Sequence, residues 1–208
     1  MSKQTLGLAM IAQDEVTNIP MALAQFYFAV DDIVVVDGGS SDATVSWAEK
    51  LGARVFKRPF NNDFSAQKNF AIEQLATDWI YVHDADERLV PPLLDIIRPL
   101  IEDPRSLIDK GILPNSPEEF DCYGIPRKNM IDGLWVPPYP DHQYRLFRNY
   151  CRYSGRVHET IINFKNRTEV DFKHNVRDKY ARFCIMHYKS SKVQAAHNER
   201  YDKIVKGV

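Results

Sequence analysis

Apolar residues in the first ninety positions fall into short runs that alternate with segments of helical period. Leu6 to Ala12 is a compact apolar run ending at the polar Gln13, Asp14 and Glu15, the pattern of a strand with a polar end. From Asn18 to Ala29 apolar positions recur at Ile19, Leu23, Phe26 and Ala29 or Val30, which predicts a helix with Thr17 as its cap and Pro20 in its first turn. Asp32 to Asp37 is β-branched through its middle and reads as a central parallel strand, after which Gly38-Gly39-Ser40-Ser41-Asp42 turns the chain. A second helix is expected from a Ser41 or Asp42 cap to about Leu51, with Gly52 as its stop, followed by a short strand at residues 53–56. Ser65 is the expected cap of a helix over residues 66–76, and the run Trp79 to Val82 predicts a strand over 78–83.

Strands alternating with helices at this spacing predict an α/β fold, a mostly parallel sheet with helices on both faces and right-handed crossovers. Beyond Asp86 the rhythm changes. Pro91 and Pro92 open a helix carrying Leu93, Leu94, Ile97 and Leu100, and residues 103–119, with Pro104, Pro114 and Pro117, read as an irregular surface excursion. Short strands are expected at 123–128 and 143–148, and 190–208 reads as a polar amphipathic helix. With no internal repeat and no low-complexity linker, one domain over 1–208 is expected, divided into a first half, 1–120, and a second half, 121–208.

The composition fits such a domain, because 208 residues at 44% hydrophobic can bury one sizeable core. No run of about 18 apolar residues exists, and the apolar N-terminal stretch is soon interrupted by Asp14 and Glu15, so neither a transmembrane segment nor a signal peptide is expected and the location expected is cytoplasmic. Cys122, Cys151 and Cys184 are widely spaced and read as buried free thiols. The formal charge of −1 hides an asymmetry: residues 1–120 hold 10 Lys+Arg against 19 Asp+Glu, and residues 121–208 hold 17 against 9. An acidic half suits a metal. A basic half suits a phosphate-bearing partner, whether charged lipid, anionic glycan or nucleic acid, or simply neutralises the first half across their interface.

Candidate chemistry concentrates at strand ends. Asp14 and Glu15, Asp37, and Asp84 with Asp86 all fall where parallel strands would deliver them to one rim, the rim at which open α/β sheets bind ligands. Asp84-Ala85-Asp86 offers hard oxygen donors for Mg²⁺ or Mn²⁺, although taken alone it reads first as a solvated acidic turn opening a helix. Neither G-x-G-x-x-G nor a P-loop is present, so phosphates on this rim would be held through a metal, which makes a nucleotide-diphosphate substrate plausible. Lys68, in the polar trio Gln67-Lys68-Asn69, could reach a phosphate or ribose or lie on an exposed helical face. In Gly155-Arg156-Val157-His158-Glu159, either His158 or Glu159 could take a proton from an acceptor hydroxyl.

Taken in order, these stretches resemble the family 2 glycosyltransferases of the GT-A fold, in particular the subgroup that includes lipopolysaccharide core β-glucosyltransferases. The resemblance is carried by Met10-Ile11-Ala12-Gln13-Asp14-Glu15, the stretch from Val34 through Asp37-Gly38-Gly39-Ser40-Ser41-Asp42 to Thr44, Phe64 to Asn69, and Trp79 to Glu87. It continues through Gln143 to Arg148, Gly155 to Glu159, and His187-Tyr188. Departures stand at Asp14, where the family usually has Asn, and at Gly38, where Asp or Ser is commoner.

The resemblance implies an inverting, metal-dependent hexosyltransferase using a nucleotide-sugar donor, with UDP the usual nucleotide. Asp37 would contact the base, with Glu15 and Gly39 at the nucleotide pocket and Lys68 by the ribose and phosphates. Asp86 would ligate Mg²⁺ or Mn²⁺, with Asp84 helping or holding the sugar and His158 as a metal or phosphate neighbour. Glu159 would be the general base, with Asp141 and His158 as alternatives, and Arg145 and Arg148 would stabilise the diphosphate or an anionic acceptor. The acceptor could be a glycan, a lipid-linked glycan or DNA. Two other readings remain, a nucleotidyltransferase of related fold and a non-catalytic module binding anionic glycan or nucleic acid.

Overall fold

The computed structural model describes residues 3–115, 121–157, 159–163, 165, 168–169, 176 and 182–206. In chain order these form β1 (Leu6–Ala12), α1 (Ile19–Ala24), β2 (Asp32–Asp37), α2 (Thr44–Lys50), β3 (Arg54–Lys57), α3 (Phe64–Glu73), β4 (Trp79–Asp84) and β5 (Glu87–Leu89). There follow α4 (Pro91–Glu102), α5 (Pro104–Asp109), β6 (Cys122–Ile131), β7 (Leu134–Arg148), β8 (Cys151–Ser154), β9 (Thr160–Asn163), β10 (Thr168–Glu169), β11 (Ile185–Lys189) and α6 (Ser191–Lys206). Eight strands form one sheet in the order β3-β2-β1-β4-β7-β6-β11-β5, and β10-β9-β8 form a small antiparallel sheet.

The strands expected in the first half are present and mutually parallel, β1 pairing with both β2 and β4, and β2 with β3. Strand alternation sends neighbouring side chains to opposite faces, and the core divides accordingly. Leu8, Met10, Val35, Trp79 and Tyr81 pack on one face with α1 and α4 residues such as Leu23 and Ile97. Ala9, Val34, Val36, Ile80 and Val82 pack on the other with Ala71 and Ile72 of α3. The sheet is therefore covered on both faces, as the alternation of strands and helices predicts.

Boundaries differ from expectation in five places. The first helix is regular only over Ile19–Ala24 and turns follow it, and no side chain caps it, Thr17 included. Ala43, rather than Ser41 or Asp42, stands at the cap position of α2, which has no side-chain cap. Asp63, not Ser65, caps α3: its carboxylate accepts from the Ala66 amide at 2.8 Å. The segment read as irregular contains α5, capped by Asp103. The two short strands of the second half are the long hairpin β6–β7, which joins the same sheet with β7 antiparallel to β4. The thiols of Cys122, Cys151 and Cys184 are free and buried. No helix among the described residues is long and apolar enough to cross a membrane.

Register sets the rim. Ala12 lies opposite Asp37 and Ile11 opposite Asp84, so β1, β2 and β4 end at one level. On the other side of β4, Tyr81 is opposite Leu146 and Trp79 opposite Arg148, which brings the middle of β7 to that same level. His187 of β11 pairs with Asn129 of β6 and with Glu87 of β5, completing the ring of polar positions.

Candidate active site

The rim encloses a cavity of about 1090 Å³ whose floor is the turn after β4. Arg145 from β7 reaches across to Asp84 and, at 2.5 Å, to Glu87 Oε1. Glu87 is fully buried and also lies 3.5 Å from Arg127. Burial disfavours the charged Asp84, but the Arg145 guanidinium and then Lys68 outweigh it and hold this carboxyl far below the usual range. Arg145 is thus committed to the floor, a buried cation shared by two carboxylates.

Asp86 takes a different partner. Its Oδ2 lies 3.2 Å from His187 Nε2, while His187 Nδ1 faces Asn129 Oδ1 at 2.8 Å. Burial opposes ionisation of Asp86, but the hydrogen bond and charge of His187 hold its pKa below the ordinary value. A protonated His187 donates Nε2–H to Asp86, whereas a neutral ring with Nδ1–H donated to Asn129 would turn the Nε2 lone pair towards a cation at Asp86. Adjacent ligands of an octahedral ion at about 2.1 Å stand roughly 3 Å apart, close to the Asp86–His187 separation. No group of three or more His, Cys, Asp or Glu side chains forms a metal-holding cluster among the described residues. A pair of protein ligands, one carboxylate and one imidazole, suits Mn²⁺ better than Mg²⁺, whose shell is made of oxygens.

The third constellation joins the two halves of the chain. Lys68 Nζ donates to Glu159 Oε1 at 2.8 Å, both side chains nearly buried. Packing of α3 against the segment before Glu159 fixes this pair: Phe64 N–H donates to Arg156 O at 3.1 Å, and the Asn69 amide exchanges two 2.9 Å bonds with the Tyr153 backbone. Gln67 meanwhile donates to Arg58 O at 2.7 Å. The polar trio is therefore not an exposed helical face; each member is buried or half-buried with its own partner.

Glu15 also faces the cavity. Burial raises its pKa, the Asn18 hydrogen bond opposes this, and the charges of Asp86, Asp84 and Asp42 add to the rise. Asp141 lines the cavity too, but it accepts from Arg127 at 2.8 and 3.0 Å, Asn129 at 3.2 Å and Gln143 at 2.8 Å. Burial works against its ionisation, and Arg127 with those hydrogen bonds prevails, leaving a carboxylate of lowered basicity.

Three expected site residues stand elsewhere. Asp37 is buried, and its carboxylate accepts from the Gly39 and Ser40 amides at 3.2 and 3.1 Å, so Asp37 and Gly39 shape the turn behind the rim and do not line the cavity. Arg148 lies at the opposite end of β4, stacked 4.3 Å from the Trp79 ring centroid and bonded to Gln4. The reason is strand geometry: β7 runs antiparallel to β4, so the residue three beyond Arg145 moves away from the rim. His158 lies outside the described residues.

Residues without an assigned role in the sequence complete the wall. Arg127 and Asn129 come from β6, His187 and Lys189 from β11, and His197, Arg200 and Tyr201 from α6. Lys189 Nζ lies 2.9 Å from His197 Nδ1 and 4.0 Å from Asp86, and Arg200 stacks over the Phe60 ring at 4.4 Å. The His187-Tyr188 pair was the signal available for β11. For α6, the polar spacing of the tail gave no indication that it reached the cavity.

A doubly covered sheet with its carboxylates at the strand ends and an added hairpin on one side is the GT-A glycosyltransferase fold. The model of the family described as Glycosyl transferase family 2 matches residues 18–175, and the chain belongs to that family. Among curated relatives, it is 33% identical over 142 residues to the lipopolysaccharide core biosynthesis glycosyltransferase LpsC of Rhizobium meliloti, covering 63% of this chain and 47% of that one. It is 37% identical over 102 residues to a TPR repeat-containing protein of Synechococcus elongatus, covering 49% of this chain and 25% of that one. The chain thus spans from a quarter to a half of these relatives. Among solved structures, residues 1–349 of S. aureus TarS in complex with UDP superpose with a TM-score of 0.57 at 15% identity, covering 89% of this chain and 60% of that one.

Proposed function

We propose that the cavity transfers a sugar, with inversion, from a nucleotide-diphosphate donor to an acceptor hydroxyl, and that the donor is a UDP-sugar. The observation that carries this reading is the meeting, in one cavity, of Asp84 and Asp86 with Lys68 and Glu159. The carboxylates suit a cation–diphosphate pair, and Lys68 with Glu159 supplies a cation for phosphate and a base for the acceptor. Support for UDP comes from TarS, solved with UDP and with UDP-GlcNAc.

In this reading residues 1–120 bind the donor, with Arg145 and His187 reaching in from residues 121–208, which otherwise bind the acceptor, within one domain. Asp86 and His187 would hold Mg²⁺ or Mn²⁺. When bound, the ion neutralises charge on the leaving diphosphate. Asp84, oriented by Arg145, accepts hydrogen bonds from the sugar or ribose, while Glu15 faces the nucleoside. The acceptor oxygen attacks the anomeric carbon as the bond to the diphosphate breaks, and Glu159 takes the acceptor proton. Asp141, held by three neighbours, is the weaker candidate for that proton.

The test is UDP release from a panel of UDP-sugars with Mn²⁺, with and without EDTA. Metal-dependent release that rises with a hydroxyl acceptor supports the proposal. A panel giving neither release nor nucleotide binding overturns it.

A further inference from the structure

The tip of the β6–β7 hairpin carries apolar residues that the cavity does not use. Trp135 pairs with Met130 and Met130 with Tyr188, while the flanking rows are Val136–Asn129–His187 and Leu134–Ile131–Lys189. Directly opposed residues share a sheet face and successive rows alternate. Val136, Asn129, His187, Ile131 and Lys189 line the cavity, so the Trp135–Met130–Tyr188 row lies on the outer face. Trp135 is 53% exposed, Tyr188 48% and, at the turn, Leu134 72%. The first turn of α6, with Val193 45% exposed, is tied to this tip by the Ser191 amide donating to Asp132 Oδ1 at 3.1 Å. Cations accompany these side chains: Lys128 Nζ lies 5.4 Å from the Trp135 ring centroid, and Lys192 is exposed beside Val193.

We propose that this tip docks end-on on an anionic lipid surface, with Trp135 from the outer face and Leu134 from the turn at the headgroup boundary and Lys128 and Lys192 near lipid phosphates. Two observations select a lipid surface over a protein. A stable protein interface takes about 800 Å² from each partner, and four partly exposed side chains on a projecting tip fall well short of that. An aromatic ring with an apolar neighbour and flanking lysines is instead the composition that sits at a membrane–water interface. Lys128 and Lys192 supply the complementary charge at the tip itself. Docking itself does not rest on the transferase reading above.

The experiment is co-sedimentation of the full chain with vesicles of phosphatidylcholine alone and of phosphatidylcholine mixed with phosphatidylglycerol. Binding to the mixed vesicles should exceed binding to phosphatidylcholine at least ~10-fold and fall by a similar factor in the double variant Leu134→Glu/Trp135→Glu. The variant's thermal unfolding and its UDP release with a soluble acceptor should match the parent, which separates failure of docking from failure of the transferase reading. No binding to anionic vesicles overturns the proposal, as does equal binding by parent and variant. A dimer in gel filtration that the double variant abolishes would overturn it in favour of a second copy as occupant.

Discussion

Lys68 Nζ lies 2.8 Å from Glu159 Oε1, so the residue proposed to meet the donor phosphates and the residue proposed to take the acceptor proton are bonded to each other. A diphosphate that draws Lys68 away would release Glu159 as a base when the donor is in place. Glu159→Gln is expected to keep nucleotide affinity within a few fold and to lower kcat by about 10²–10⁴. Lys68→Met should raise the donor KM by about 10-fold or more, the weight of one charge-assisted hydrogen bond. Transfer that survives Glu159→Gln and is lost in Asp141→Asn would move the base to Asp141.

Asp86 and His187 are predicted to act as one unit towards a cation. Asp86→Asn and His187→Ala should each weaken Mn²⁺-dependent UDP binding by about 10–100-fold, while UDP affinity measured in EDTA stays unchanged. Titration calorimetry with and without Mn²⁺ makes the comparison. Equal loss in both conditions would show that these residues contact the nucleotide directly.

Arg145 and Arg148 should separate cleanly despite their proximity in sequence. Arg145→Met leaves the buried Glu87 without its nearest cation and is expected to cost about 3–5 kcal/mol, a fall in Tm on the order of 10 °C. Arg148→Met removes stacking on Trp79 and a bond to Gln4, about 1 kcal/mol, and should leave UDP binding intact. Thermal unfolding and UDP titration of both variants test the placement.

Stability should fall between pH 6.5 and about 4. Burial lowers the His83 pKa from 6.5 to about 4, against the opposing charge of Glu87. In that interval the unfolded chain binds the proton and the folded chain does not, so acidification favours unfolding. The contribution is fully present above pH 6.5 and is lost as pH falls towards 4, on the order of 3 kcal/mol in all. Denaturant unfolding in metal-free buffer should show this slope, and His83→Gln should flatten it.

Local pattern determined the elements of the first half. The β-branched run of β2 and the alternation in β1 and β4 specify strands whose two faces must both be buried, and the intervening periods specify the covering helices. That pattern also placed Glu15, Asp84 and Asp86 on one rim, because parallel strands that start together end together. The hairpin extent of β6–β7 and the short strands β5 and β11 carried no such signal, since their burial depends on neighbours far along the chain.

Which side chains meet was decided only by tertiary structure. Lys68 and Glu159 are 91 positions apart, and Asp86 and His187 are 101 apart. No periodicity encodes such distances; strand order and register do. The antiparallel direction of β7 turned Arg145 towards the carboxylates and carried Arg148 to the other end of the sheet. The turn geometry that made Asp37 a strand-end candidate made it instead the acceptor of its own turn's amides. Sequence thus determined where the carboxylates gather, because strand periodicity is local. Their partners depended on the fold, because a buried charge is matched by whatever the long-range register brings beside it.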